Sequence, residues 1–140
     1  MKTLFVTLFL SAVCVGQVQV RTRTVLQFGE LEKKLASADT SAARGSLLAD
    51  DFEERLCAEP GTPIPREQWL SEPATNFSFG QQAVHDYGDT ALYSALGTNG
   101  DKEYSVVDTW RKEGLDWKLA VRYLCPAAGK KPGSGIPKRY

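Results

Sequence analysis

The stretch DTWRKEGLDWKLAVRYLC, from Asp108 to Cys125, decides the fold of this chain. A short charged segment that contains Gly114 separates two runs in which apolar and polar residues alternate. Alternation with a period of two is typical of strands that bury one face, and a glycine between two such runs favours a turn. We therefore predict a long antiparallel hairpin.

The register of this hairpin determines which side chains share a face. If residues 112–115 form the loop, Trp110 lies opposite Trp117 as a cross-strand pair. One face then carries Tyr104, Val106, Asp108, Trp110, Trp117, Leu119, Val121, Tyr123 and Cys125. We expect this face to be buried and to line a pocket with Val106, Trp110, Trp117, Leu119 and Val121. A shift of one residue would instead turn Asp108 to solvent and Arg122 inward.

Asp108 is the one carboxylate on this predicted core face. A buried carboxylate must be paired, hydrogen-bonded or protonated, because removing its charge from water is costly. Asp108 is therefore either a structural residue, bonded to its surroundings or lifted to solvent by a bulge, or a catalytic one. In the catalytic case Asp108 transfers a proton, and Tyr104 or Tyr123 donates a hydrogen bond to the developing oxyanion.

Three segments upstream of the hairpin have the pattern of helices. Residues 24–37 place their charged side chains, Glu32 among them, mostly away from one apolar face. That face is formed by Val25, Leu26, Phe28, Leu31 and Leu35. Asp39 or Thr40 is a suitable N-cap for a second, shorter helix. Pro65 precedes a third helix in which Trp69 faces the core.

The rest of the chain up to Cys125 reads mainly as strands. We expect a strand over residues 52–58, and two further strands that meet at a turn over residues 87–90. Residues 99–103 contain Asn-Gly and form the next turn, which leads into the hairpin. Because helices come first and a meander follows, the predicted class is α+β, with N-terminal helices packed on a strongly curved, mainly antiparallel sheet.

The two ends of the chain differ from the middle. Residues 1–16, MKTLFVTLFLSAVCVG, combine Lys2 with an apolar run of signal-peptide length, and we predict cleavage after Gly16. The alternative is an uncleaved N-terminal anchor, which is the only membrane attachment we expect. Residues 126–140 are rich in Gly, Pro and Lys and predict a flexible tail. The mature protein is thus expected to be exported, to the periplasm or the external medium.

Charge and cysteine content narrow the functional classes. Lys plus Arg and Asp plus Glu each total 17, so the sequence gives no electrostatic case for binding nucleic acid. Cleavage leaves Cys57 and Cys125, which are either disulfide-bonded in an oxidising compartment or two buried free thiols. We expect no metal site, since no Cys/His cluster is present, and no cofactor.

Three motifs carry a resemblance to a known family: LLADDF at 47–52, YGDTALYSA at 87–95 and VVDTWRKEGLDWKLAVRYL at 106–124. Over residues 24–125 their order and spacing resemble the SnoaL-like, domain-of-unknown-function branch of the nuclear transport factor 2-like superfamily. The resemblance implies a cone, with a bent sheet around a long helix and a pocket at the open end. It also implies a homodimer paired through the sheets. Relatives often carry a histidine near the position of Tyr123, and a tyrosine cannot replace it as a base near neutral pH.

The superfamily includes ketosteroid isomerase-like enzymes, cyclases, dehydratases and non-catalytic binding domains, so the fold does not determine the function. We interpret the chain as an exported small domain that binds a small apolar ligand or a protein partner in or around its cone. The alternative is an isomerase, dehydratase or cyclase that uses Asp108 for proton transfer.

Overall fold

A computed structural model describes residues 23–127 of the chain. The predicted signal peptide and nearly all of the predicted tail lie outside these residues. The helices are α1 (residues 23–36), α2 (Ser41–Gly45) and α3 (Arg66–Ser71). The strands are β1 (Leu48–Leu56), β2 (Ile64–Pro65), β3 (Ser78–Asp86), β4 (Thr90–Asn99), β5 (Lys102–Glu113) and β6 (Asp116–Pro126).

The strands form one six-stranded sheet in the order β2-β1-β6-β5-β4-β3. All neighbouring strands are antiparallel except β1 and β6, which are parallel. The sheet is curved and does not close, and the helices pack on it, so the predicted α+β class is confirmed. The parallel pair arises because the chain crosses from β1 through α3 before the meander begins.

Helix α1 lies against the concave face of the sheet. Phe28 and Leu35 are buried as predicted, and the Phe28 ring centroid lies 4.9 Å from that of Trp117. Two side chains differ from the prediction: Leu26 is 60% exposed, whereas Glu32 is fully buried. The reason is the helical repeat, because residues 28, 32 and 35 follow one another at spacings of four and three on a single stripe.

The two short helices cap each other. Thr40 Oγ1 accepts a hydrogen bond from the Ala43 amide, which confirms Thr40 as the N-cap of α2. Arg44 of α2 donates to the carbonyl oxygens of Leu70 and Glu72, at the C-terminal end of α3. A cation at a helix C-terminus satisfies carbonyls that have no partner within the helix.

The turn of the long hairpin is tighter than predicted. Glu113 pairs with Asp116, so the loop is Gly114–Leu115 and not residues 112–115. Gly114 has a φ of 63°, a conformation that glycine adopts without strain. The predicted pairing of Trp110 with Trp117 is therefore wrong, because Trp117 lies opposite Lys112.

A bulge at Ala120 then changes the face of every residue beyond it. Trp110 pairs with Leu119 and Thr109 with Val121, which leaves Ala120 as the extra residue on β6. As a result Arg122 points into the core and Val121 points outward. Tyr123, also predicted on the core face, is 41% exposed on the outer face.

Cys57 and Cys125 form a disulfide that joins the end of β1 to the end of β6, with their Cα atoms 5.0 Å apart. The Cys57 amide also donates to the Leu124 carbonyl oxygen, so the disulfide follows the last rung of the parallel pair. The bond spans 68 residues of chain.

We expect replacement of both cysteines, Cys57→Ala with Cys125→Ala, to lower the free energy of unfolding by about 2–5 kcal/mol, because the unfolded chain gains entropy. Urea denaturation followed by tryptophan fluorescence measures this loss. Wild-type protein in reducing agent serves as the matched control and should lose the same amount. Equal urea midpoints with and without reducing agent would contradict the prediction.

Candidate functional site

A row of polar side chains crosses the concave face of the sheet. Asp108 on β5 lies opposite Arg122 on β6 and opposite Tyr93 on β4. Arg122 in turn lies opposite Glu54 on β1. Directly opposite residues on neighbouring strands have Cβ atoms about 4.5–5.5 Å apart, so these four side chains are successive neighbours. The sheet thus brings together residues from four strands that are distant in sequence.

Asp108 and Arg122 form a two-pronged ion pair. Arg122 Nε donates to both Asp108 oxygens, at 3.0 and 3.1 Å, and Arg122 Nη2 lies 2.5 Å from Asp108 Oδ2. This geometry matches the planar fork of a guanidinium to the plane of a carboxylate. Both oxygens of Asp108 are therefore engaged.

Glu32 of α1 completes the arrangement from above the sheet. Its Oε2 accepts a hydrogen bond from Arg122 Nη2 at 2.8 Å, and its Oε1 accepts one from Trp110 Nε1 at 2.8 Å. We call Glu32, Asp108, Trp110 and Arg122 the polar cluster. It is a polar contact through which α1 is held to β5 and β6.

The polar cluster is buried, and it contains two carboxyl groups but only one basic side chain. Glu32 and Asp108 are 0% exposed and Arg122 is 4% exposed. Burial raises the pKa of Glu32 well above its usual value, and the neighbouring Asp108 raises it further, against the opposing charge of Arg122. Burial alone would lower the pKa of Arg122, but the charges of Asp108 and Glu32 outweigh burial and raise it. The raised pKa favours the protonated form of the Glu32 carboxyl group.

Two further groups of the polar row share this environment. Glu54 accepts a hydrogen bond from Trp69 Nε1 at 3.0 Å, and burial raises its pKa despite that bond and the charge of Arg122. The Tyr93 hydroxyl is buried and has no hydrogen-bond partner within the described residues. Burial, followed by the charges of Glu32 and Asp108, raises the pKa of Tyr93, so its hydroxyl stays protonated.

The structure separates the three residues predicted to act together in catalysis. Tyr104 lies four residues from Asp108 on β5, about 13 Å along the strand, and packs against Phe77. Tyr123 lies on the outer face. The tyrosine beside Asp108 is Tyr93.

The predicted pocket-lining residues are also divided. Val106, Trp110 and Leu119 are fully buried on the concave face. Trp117 is partly buried against the core, and Val121 faces outward beyond the bulge.

Sequence reasoning missed Glu32, Arg122 and Tyr93 as members of the site. Glu32 had a signal, since it lies four residues after Phe28 on the buried stripe of α1. Tyr93 also had one, because it alternates with Ala91 and Ala95, which are buried with it. Arg122 lacked such a signal, because its inward direction depends on the bulge at Ala120.

The arrangement restricts the chemistry available to Asp108. A general base must reach the proton it removes, and it needs a free lone pair and contact with substrate. Asp108 is fully buried in this state, and both of its oxygens accept hydrogen bonds from Arg122, so its side chain does not reach solvent. The polar cluster therefore holds α1, β5 and β6 together in this state.

The described part of the chain, residues 23–127, also bears on metal binding and membrane attachment. This part of the chain contains no group of three His, Cys, Asp or Glu side chains placed to bind a metal ion. None of its helices combines the length and the apolar character needed to span a bilayer.

Solved structures with the same architecture include an NTF2-like protein from Cytophaga hutchinsonii, with 17% identity, a TM-score of 0.62, and coverage of 75% of this chain and 98% of that chain. An NTF2-like protein with a cystatin-like fold from Novosphingobium aromaticivorans has 16% identity, a TM-score of 0.57, and coverage of 94% and 95%. The chain has a nuclear transport factor 2-like fold.

A candidate ketosteroid isomerase from Parabacteroides distasonis shares this nuclear transport factor 2-like fold, with 16% identity, a TM-score of 0.59, and coverage of 73% of this chain and 86% of that chain. No protein-family model matches the sequence, and none of the curated proteins matches it. Identities this low establish the fold and leave the activity to be argued from the site.

We expect Arg122→Met to lower the free energy of unfolding by about 3–5 kcal/mol at pH 7, because it leaves Asp108 buried without its counter-charge. Urea denaturation at fixed pH measures the effect. Arg111→Met is the matched control, since Arg111 pairs with Asp51 and Glu113 at the exposed end of β5 and should matter far less. Similar decreases in the free energy of unfolding for the two variants would contradict the prediction, because the buried ion pair would then contribute no more than the exposed one.

Proposed function

We propose that this chain is an exported, non-catalytic binding domain that works as a pair of identical copies joined through the outer face of the sheet. The observation that carries the proposal is the apolar character of that face. The proposed protein partner is therefore a second copy of the same chain.

The outer face is formed by residues that alternate with the core residues. Val107 lies opposite Tyr123 and beside Ser94, and Thr109 lies between Leu92 and Val121. These neighbours form a continuous strip of half-exposed apolar and hydroxyl side chains across β4, β5 and β6. Tyr123 is the most exposed of them. A tyrosine among aliphatic side chains at a surface is typical of protein interfaces.

The helices leave this strip uncovered in the described part of the chain. Phe28 of α1 contacts Trp110 and Trp117, and Trp69 of α3 contacts Phe52, all on the concave side. Contiguous apolar surface on one face of a sheet marks an interaction site in a soluble protein. Such a strip suits a two-fold pair, in which the same patch serves both copies.

Binding is favoured over catalysis by the state of the interior. The carboxylate predicted to move a proton is engaged by Arg122 at both oxygens, and the tyrosines predicted to assist it lie elsewhere. A catalytic site needs its acid, its base and its substrate in mutual contact. The outer strip needs no rearrangement to bind.

Export is supported by two independent features. The first 16 residues have the pattern of a cleaved signal peptide. The Cys57–Cys125 bond is of the kind that persists in oxidising compartments outside the cytoplasm.

Pairing through the outer strip predicts that Val107→Lys converts a dimer into a monomer, because it places a charge at the centre of the apolar contact. Size-exclusion chromatography with light scattering measures the mass of each species. Gln68→Lys, on the exposed side of α3, adds the same charge on the concave side and should leave the dimer intact. A wild-type protein that is monomeric at about 100 μM, well above the Kd of an ordinary specific interface, would refute the pairing.

Export predicts that the full-length chain, expressed in a bacterium with a C-terminal tag, is recovered outside the cytoplasm with residues 1–16 removed. Intact-mass spectrometry of each cell fraction shows this directly. Leu8→Arg interrupts the apolar run and should leave the full-length chain in the cytoplasm. Recovery of the wild-type chain at full mass with the membranes would establish the uncleaved anchor instead.

A further inference from the structure

The polar cluster joins one helix to the sheet through a single carboxyl group. Glu32 is the member supplied by α1, whereas Asp108, Trp110 and Arg122 belong to β5 and β6. When α1 is docked, Glu32 is fully buried. When α1 is undocked, Glu32 is in water and the rest of the cluster stays on the sheet. The state of Glu32 is therefore linked to the position of α1.

The positive and negative charges of the cluster balance only when one of its two carboxyl groups is protonated. Arg122 makes three contacts with Asp108 and one with Glu32, so its charge is matched chiefly to Asp108. A second ionised carboxylate beside the same guanidinium would be buried without a counter-charge of its own. A protonated Glu32 removes this excess and can still accept the hydrogen bonds from Trp110 and Arg122.

Helix α1 is bordered by open grooves on the side that faces β3 and the segment leading into it. One groove separates residues 25–33 from Gln81 and Gln82 of β3, and another separates residues 33–39 from residues 74–77. Its apolar packing includes the buried Phe28 and Leu35 and the partly buried Leu31. Movement of α1 would uncover the aromatic interior, where the Phe28 ring packs on Trp110 and Trp117.

We propose that Glu32 is a proton-controlled latch: α1 stays docked while the polar cluster holds one proton, and loss of that proton loosens α1 and opens the interior to an apolar ligand. The ligand class is a small, uncharged apolar or aromatic molecule, because undocking of α1 would expose the rings of Phe28, Trp110 and Trp117 that now pack on one another. This device goes beyond the pairing of copies and does not depend on it, since the pairing strip lies on the opposite face.

The direction of the pH dependence follows from linkage. In the undocked state Glu32 ionises near its ordinary pKa of about 4.3, whereas burial and Asp108 raise that pKa in the docked state. Docking of α1 is therefore strongest at a pH below the pKa of Glu32 in the undocked state. It weakens as the pH rises towards the higher pKa that Glu32 has in the docked state. Between the two values the docking constant falls by up to about tenfold for each pH unit.

The other groups that face Glu32 do not reverse this direction. Asp108 and Arg122 form the ion pair on β5 and β6, and Tyr93 on β4 stays protonated. Glu54 on β1 has a pKa raised by burial, and it accepts its hydrogen bond from Trp69 of α3 and not from α1. The exposed Glu30 and Lys33 of α1 pair with each other on the side away from the cluster.

Hydrogen exchange of residues 23–36 tests the latch in the intact mature protein. Protection factors, corrected for the intrinsic pH dependence of exchange, should fall at least tenfold between pH 5 and pH 8 in α1 and not in β4 or β5. Glu32→Gln keeps a hydrogen-bonding side chain without a titrating proton and should make α1 protection independent of pH. Glu30→Gln, on the exposed side of the same helix, should behave as the wild type.

Binding of the uncharged fluorescent probe N-phenyl-1-naphthylamine gives the second measurement. Its affinity for the wild type should rise over the same pH interval and stay constant for Glu32→Gln. Wild-type α1 protection that does not change with pH overturns the latch, as does unchanged probe affinity. These wild-type measurements decide the question even if Glu32→Gln does not fold. Light scattering on the same samples reports the pairing of copies separately, so failure of one proposal is distinguished from failure of the other.

Discussion

The structure depends on one guanidinium that serves two buried carboxyl groups. Arg122 binds Asp108 on the adjacent strand and Glu32 on the helix above, and all three side chains are removed from water. A buried charge is tolerated only where a partner of opposite sign is within hydrogen-bond distance. This requirement fixes the rotation of α1 about its axis and its position over β5 and β6. Apolar packing alone would accept several neighbouring positions.

A single extra residue makes that arrangement possible. Ala120 interrupts the regular alternation of β6, so Leu119 and Arg122 both point inward although an odd number of steps separates them. The same bulge turns Val121 and Tyr123 outward. One local irregularity therefore creates both the polar interior and part of the apolar outer strip. Bulges frequently redirect side chains at the positions where a sheet performs its function.

The two faces of the sheet consequently have different roles. The concave face buries hydrogen bonds and ion pairs beneath α1, while the outer face carries half-exposed apolar and hydroxyl side chains. Proteins with a nuclear transport factor 2-like fold can use their interiors in unrelated ways, since the fold supplies only the cone. Here the interior is tied to the helix that covers it, through the contacts of Glu32 with Arg122 and Trp110.

The sequence by itself determined the hairpin, the amphipathic α1, the short capped α2, the helix after Pro65 and the α+β class, because each follows from local periodicity or from capping and turn residues. It also singled out Asp108 as a buried acid that needs a partner. Only the tertiary structure identified that partner as Arg122 and added Glu32 and Tyr93. The bulge that turns Arg122 inward is set by packing between β5, β6 and α1, and no local pattern records such an offset.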